Sequence, residues 1–461
     1  MIQVTTSVAD IIVGIADFVC GYPLFILLIG GGLFLFIHSG MISLRRLPEA
    51  IRALRESKRT KTGEGISSAQ ALVSVIAATV GMGNIAGVAI AIAMGGPGAI
   101  FWMWVSALVG MSTKYHEGVL AVRYRSYAPD GKPLGGPMYV IPNALGSRWR
   151  FLAVTFAIAG MAGTLCIMNA NQLTEALAGA SQSAGLISDS FALRLAIGLA
   201  LALIVGLVVL GGLSRIANVA SVMVPFMVGA YFLMVLYIIA TRFDALPSVI
   251  SRIFTEAFRF EAGIGALVGV AIIGARRAAL VNDAGVGTAS IMHGSSSNRS
   301  PVREGLVAML GPAIDSGFVC TLTAFAILLA APDFTPEGLV GLQLAMTAFG
   351  SAIPGGEYLL TFIVTCFAVS SMFTYSFYGT RCAAYLFGEQ RSRFYTWFFI
   401  ATLVIFAVIP LGVAVGLCDL FYALMAFPTM ISLILLRKQV RRETDAYFLE
   451  KNQKTQQYAD A

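Results

Sequence analysis

The chain has 461 residues, 57% of them hydrophobic and only 12% charged, with a formal net charge of +7. A soluble chain would carry about 25% charge, so a water-exposed globular fold is excluded and spanning helices are expected. The six cysteines (20, 166, 320, 366, 382 and 418) and three histidines (38, 116 and 293) stand singly, which argues against a disulfide framework or a transition-metal site.

Apolar stretches long enough to span a bilayer lie near 20–43, 70–95, 99–122, 150–178, 192–212, 217–240, 263–291, 304–331, 356–380, 394–413 and 416–436. The predicted fold class is therefore an all-α polytopic membrane protein of about eleven transmembrane helices. No cleaved signal peptide is expected, because Asp10 and Asp17 precede the first apolar run and Arg45 and Arg46 follow it. The stretch around Thr335 to Pro354 is expected to hold an extra amphipathic or re-entrant piece, and 438–461 reads as a frayed cytoplasmic tail.

Basic residues sort to one side. Arg45, Arg46, Arg52, Arg55, Lys58, Arg59 and Lys61 fall in one loop, followed by Lys114, Arg123, Arg125, Lys132, Arg148 and Arg150. Arg215, Arg299, Arg303, Arg381, Arg391, Arg393 and the Arg437 to Lys454 group continue the same side. The opposite side holds Arg242, Arg252 and Arg259, with Arg194 at a helix edge. The positive-inside rule then places the N-terminus outside and the C-terminus in the cytoplasm of a cell membrane. The same distribution accounts for the positive excess through topology and lipid contact, with no nucleic-acid partner. Lys114 and Glu117 read as a local i, i+3 pair near a helix end, with a gating role as the alternative. Trp102, Trp104 and Trp397 read as aromatic-belt anchors.

Two spans are interrupted at their middle. The first reads Thr79-Val80-Gly81-Met82-Gly83-Asn84-Ile85-Ala86-Gly87, and the second Asn282-Asp283-Ala284-Gly285-Val286-Gly287-Thr288. Broken helices at matching positions of two halves point to a transporter binding site. The residues divide into a helix at 20–43, five helices over 65–240 and five over 263–436, and an odd number per half requires inverted topology. No residue-level repeat accompanies this symmetry. At the first break, the N–H groups opening the second half-helix suit a carboxylate, and freed carbonyls suit a cation such as Na⁺. Close packing of small residues is the alternative. At the second break, Asp283 reads as an intramembrane functional residue or as a structural partner of Arg277.

Several ordered motifs resemble the alanine/glycine:cation symporter family. They are Gly81 to Ala89 with Gly95-Gly96-Pro97-Gly98 to Trp104, Gly110 to Lys114 with Glu117, and Gly135-Gly136-Pro137-Met138-Tyr139. Asn282 with Ala284, Gly285 and Gly287, and Pro301-Val302-Arg303 with Gly305 to Gly311, complete the set. The resemblance implies a LeuT-type 5+5 inverted repeat behind one extra N-terminal helix, coupling Na⁺ (sometimes H⁺) to uptake of alanine, glycine or a related amino acid. It implies a substrate site of Gly81, Met82, Gly83, Asn84, Asn169, Asn171, Asn282, Asp283 and Tyr375. It also implies a cation site of Val80, Gly81, Ser370 and Ser371, where the serines bonding back to their own helix carbonyls is the alternative.

Departures from the family pattern fall at Met82, Leu280, Val281, Asp283, Asn169 and Tyr375, which leaves the identity of the amino acid open. A channel would expect rings of like residues, and a membrane enzyme would expect a nucleophile with its base. Neither pattern is present in the sequence, so no enzymatic role is expected. Enantiomer, stoichiometry and oligomeric state are not encoded in any motif.

Overall fold

The computed structural model describes residues 22–57, 66–183, 185, 187–258, 264–330 and 341–459. Asp10, Asp17, Cys20, Lys58, Arg59, Lys61, Arg259 and the stretch 331–340 lie outside them. The described chain is almost wholly helical, because within lipid each backbone N–H and C=O must find its partner inside the segment. We number the main helices α1 (Tyr22–His38), α2 (Leu47–Ser57), α3 (Ser68–Thr79), α4 (Gly83–Gly95) and α5 (Gly98–Arg123). Next come α6 (Pro137–Leu145), α7 (Arg150–Gly163), α8 (Ile167–Ser183), α9 (Phe191–Val209), α10 (Gly212–Thr241) and α11 (Leu246–Ala257). The remainder are α12 (Ile264–Asn282), α13 (Thr288–Gly294), α14 (Pro301–Ala330), α15 (Leu342–Ala352), α16 (Gly356–Phe387), α17 (Glu389–Val408) and α18 (Leu411–Ala459).

Among the described residues, each apolar stretch of the sequence is met by helix. There, seven helices are long and apolar enough to cross a membrane, or eight when the bent pair α3 and α4 counts as one span. Helices α9, α10 and α17 bury only 33% of their apolar windows, and Leu199, Leu203, Leu207, Val222 and Phe226 stand exposed. Apolar side chains turned outward in this way suit contact with hydrocarbon. By contrast α16 buries 78% of its window and runs through the interior against α3, α7 and α10. Helix α5 is its counterpart, packed on α12, α13 and α14.

Several connections differ from their sequence reading. The basic loop after the first span contains the amphipathic helix α2, which buries Ala50 and Ala53 and ties Glu56 to Arg303 at 2.8 Å. The loop carrying Arg242 and Arg252 contains α11, whose Val249, Ile253 and Ala257 are buried. Part of the expected extra piece near Pro354 is the helix α15. The tail does not fray: α18 runs on to Ala459, and its Val440 and Phe448 pack into the core. Arg46 stacks 3.8 Å over the Phe448 ring, giving this polar stretch an anchor that its composition does not announce. Trp102 and Trp104 are not simple belt residues, since their indole N–H groups donate to Ala257 O and Thr321 Oγ1 and link helices.

Candidate functional site

The first break begins where α3 ends. Ser67 opens that helix with a capping box, in which its hydroxyl accepts from Gln70 N and Gln70 returns the bond. Val80 then leaves the helix in an extended conformation, and α4 resumes at a bend of 58° through a π-helical turn. Asn84 holds this geometry. Its Oδ1 accepts from Gly81 N at 2.9 Å, while its Nδ2 donates to the Asp315 carboxylate and faces Cys320 Sγ at 3.4 Å. Asn84 is fully buried with its amide engaged inside the protein, a different position from the open ligand group expected of it.

The second break is a run of turns between α12 and α13. Asp283, Gly285 and Gly287 all take positive φ, at 52°, 88° and 96°. Conformation favours glycine at the last two, and at Gly287, set against Thr429 and Pro137, space does so as well. A Cβ on Gly285 would lie 2.6 Å from Met430 Sδ and 2.9 Å from Leu28, and one on Gly287 would lie 2.5 Å from Thr429 Oγ1. Asn282 closes the end of α12 by accepting from Ala284 N at 3.0 Å and donating to Ser316 Oγ at 3.1 Å. Glu117, from the C-terminal third of α5, accepts from Gly285 N at 2.7 Å and from Ser290 Oγ at 3.4 Å. The unwound backbone thus finds its partners in side chains of neighbouring helices.

The two breaks face each other. Val281 Cγ2 sits 3.2 Å from where a Cβ on Gly87 would lie and 3.6 Å from one on Gly83. Asp283 does not pair with Arg277. It accepts instead from Tyr375 Oη at 2.6 Å and Thr288 Oγ1 at 3.3 Å, and Tyr422 Oη donates to Tyr375 Oη at 2.6 Å. Ser370 and Ser371 both donate to Phe367 O of their own helix and to Ala77 O of α3, at 3.2 and 3.1 Å for the latter. The alternative reading of this pair, bonding back to the carbonyls of its own helix, is thus observed, together with a contact across to α3. Ser371 Oγ also lies 3.0 Å from where a Cβ on Gly81 would stand, so the hydroxyls meet the first break at its exit from α3.

Val80, Met82, Asn282, Asp283 and Tyr375 are all buried around this centre. Asn171 is not among them: its Nδ2 donates to Phe406 O and Ile409 O and satisfies the last carbonyls at the end of α17. Asn169 lies half-buried two residues before it on α8. The sequence reading passed over Asp315, which stands in a π-helical turn of α14 (Ala313–Val319) and is fully buried. A lone acid within an otherwise apolar span is itself a functional signal, and it was available in the sequence. Glu117 and Lys114 are also fully interior, and among the described residues they form no ion pair with each other. The local pairing expected of them gives way to the contact of α5 with α12 and α13, where the Glu117 carboxylate is taken by Gly285 N.

The chain entering α3 and the chain leaving α13 are tied to each other. Ile66 and Ser296 form a parallel bridge, and Ser297 N donates to Ile66 O at 2.8 Å. Beside it the buried Glu304 accepts from Asn298 Nδ2 at 3.1 Å and contacts His293 Nδ1 at 2.6 Å.

A model of the sodium:alanine symporter family matches residues 5–461. The chain belongs to that family. It is 37% identical over 438 residues to the sodium/alanine symporter AgcS of Methanococcus maripaludis, covering 94% of this chain and 95% of that one. It is 31% identical over 440 residues to the Bacillus subtilis protein named "Probable sodium/glutamine symporter GlnT", covering 94% and 90%. Among solved structures it is similar to MhsT in complex with L-phenylalanine, with a TM-score of 0.55 at 14% identity, over 82% of this chain and 98% of that one. At that identity the likeness is one of fold alone, and the LeuT-type architecture expected from the motifs is the one observed. The family is one of sodium-coupled membrane transporters, so this chain is a membrane protein of a transporter family.

Proposed function

We propose that the protein is a secondary active symporter that couples Na⁺ influx to uptake of a small neutral amino acid such as alanine or glycine. The observation that carries this reading is the direct apposition of the two broken helices, with Val281 seated on Gly83 and Gly87. In this reading the substrate carboxylate meets the N–H groups that open α4 at Met82 and Gly83, beside the Gly81 N–H that Asn84 holds, where the helix end is positive. The ammonium is met by Asp283, held in place by Tyr375 and Thr288. Asn84 and Asn282 act by holding the two unwound backbones in shape, and Met82 and Asn169 bound the space available to the side chain. Ser370 and Ser371, with backbone oxygens near Val80 and Gly81, supply oxygen ligands of the kind Na⁺ takes.

We further infer that α1 is the helix outside the repeat. The five spans from 65 to 240 and the five from 263 to 436 are then the inverted halves, with the N-terminus outside and the C-terminus cytoplasmic. The test is uptake into proteoliposomes of glycine, L- and D-alanine, serine and glutamine, with and without a Na⁺ or H⁺ gradient. Sodium-driven uptake of alanine or glycine is the expected result; uptake indifferent to both gradients would overturn coupled symport. A second reading, a symporter for serine or glutamine, draws on the relative named for glutamine and on the departures at Met82, Asp283, Asn169 and Tyr375. The same panel separates the two.

A further inference from the structure

Lys114 is a buried charge that the site described above does not use. It is 1% exposed, and its Nζ has no hydrogen-bond partner among the described residues. A buried ammonium in that condition is costly and persists only where surrounding charge compensates it. Its neighbours on α5 fix where it stands. Gly110, one turn earlier, lies against the second break, with Ala284 and Asn282 at 3.2 and 3.3 Å from where its Cβ would be. Glu117, one turn later, accepts from Gly285 N. Lys114 therefore occupies the turn level with Asp283, which lies between those contacts in sequence. Its charge acts on Asp283, Glu117 and Asp315, and no other basic group among the described residues reaches all three. Two more buried polar atoms of this region, Tyr378 Oη and Asp315 Oδ2, also have no hydrogen-bond partner among the described residues. Orphaned groups of this kind mark a place where solvent or an ion completes the bonding.

We propose that Lys114 is a fixed counter-ion of the region between the two breaks, a positioning residue that sets how tightly the coupling cation is held and how readily it leaves. Three buried carboxylates lie in the field of one buried ammonium, so the region between the breaks attracts cations, and the ammonium keeps that attraction weak enough for release. A conducting or transporting site needs both properties. This inference rests on the sodium-symport reading. At a separation on the order of 10 Å and an effective dielectric of about 20, one unit charge changes a binding constant roughly tenfold.

The experiment is radiolabelled Na⁺ binding to purified protein, together with sodium-driven uptake in proteoliposomes. Lys114→Met is expected to lower the half-saturating Na⁺ concentration roughly tenfold and to slow turnover, whereas Lys114→Arg keeps the wild-type half-saturation. The pair Lys114→Met with Glu117→Gln restores the charge balance and returns half-saturation to within about threefold of wild type. An unchanged Na⁺ half-saturation in folded Lys114→Met overturns the proposal. Should that variant not fold, the double variant is compared with Glu117→Gln alone, and equal Na⁺ half-saturation overturns it equally. Wild-type protein that binds no Na⁺ would instead remove the symport reading, and this inference with it.

Discussion

Asn84 joins the first break to Asp315, and its removal is expected to destabilise the protein through two separate losses. In Asn84→Ala the Gly81 N–H loses its acceptor at 2.9 Å inside the bundle, which costs about 1–3 kcal/mol for an unsatisfied buried donor. The Asp315 carboxylate loses its amide donor as well, worth about 1.5–3 kcal/mol for a bond to a charged group. The sum is about 2.5–6 kcal/mol, a large share of the stability of an ordinary domain. Asp315→Leu removes the carboxylate and leaves Asn84 able to hold Gly81. In Asn84→Ala with Asp315→Leu, only the Gly81 N–H remains orphaned, so the double variant is expected to lose about 1–3 kcal/mol, less than Asn84→Ala alone. Reversible denaturant unfolding of the four proteins in mixed micelles measures the cycle. Single-variant losses that add to the double-variant loss within about 0.5 kcal/mol would show that the pair is not coupled, and the account of the first break would be wrong.

Tyr375→Phe removes the donor to Asp283 and the acceptor of Tyr422; a rise in the KM for amino-acid uptake of about tenfold is expected, and an unchanged KM would detach this chain from the substrate. Replacing Ser370 and Ser371 together by Ala should raise the Na⁺ concentration for half-maximal uptake, and unaltered sodium dependence would place the cation elsewhere. Gly285→Ala forces a Cβ into Met430 and Leu28 at a positive φ of 88°; the yield of folded protein in detergent should collapse, and wild-type yield would refute the backbone account. Asn171→Ala, which removes only the cap on the end of α17, should lower thermal stability by about 1–2 kcal/mol while leaving substrate affinity near wild type.

Much of this protein is legible in one dimension. The low charge and the apolar runs dictate helices in lipid, because no other local structure satisfies the backbone there. Gly81, Gly83, Gly285 and Gly287 mark the two breaks, since repeated glycine beside asparagine in mid-span has no reason to persist in a continuous helix. The motifs around them identified the family. What the sequence reading misjudged shares one physical cause: the fate of a polar side chain depends on which helix lies opposite. Asn171 and Asn169 look equivalent along the chain, yet only Asn171 meets the free carbonyls at the end of α17. Lys114 looks like a cytoplasmic charge until α5 is seen to pass behind the second break. Asp315 stands 231 residues from Asn84 in the chain, and only packing brings the two into contact. The sequence by itself determined the class of fold and the position of each break, through local backbone chemistry. The tertiary structure alone decided which polar groups hold the backbone and which are left to a ligand, because hydrogen bonds saturate and each buried donor or acceptor serves whichever partner packing sets beside it.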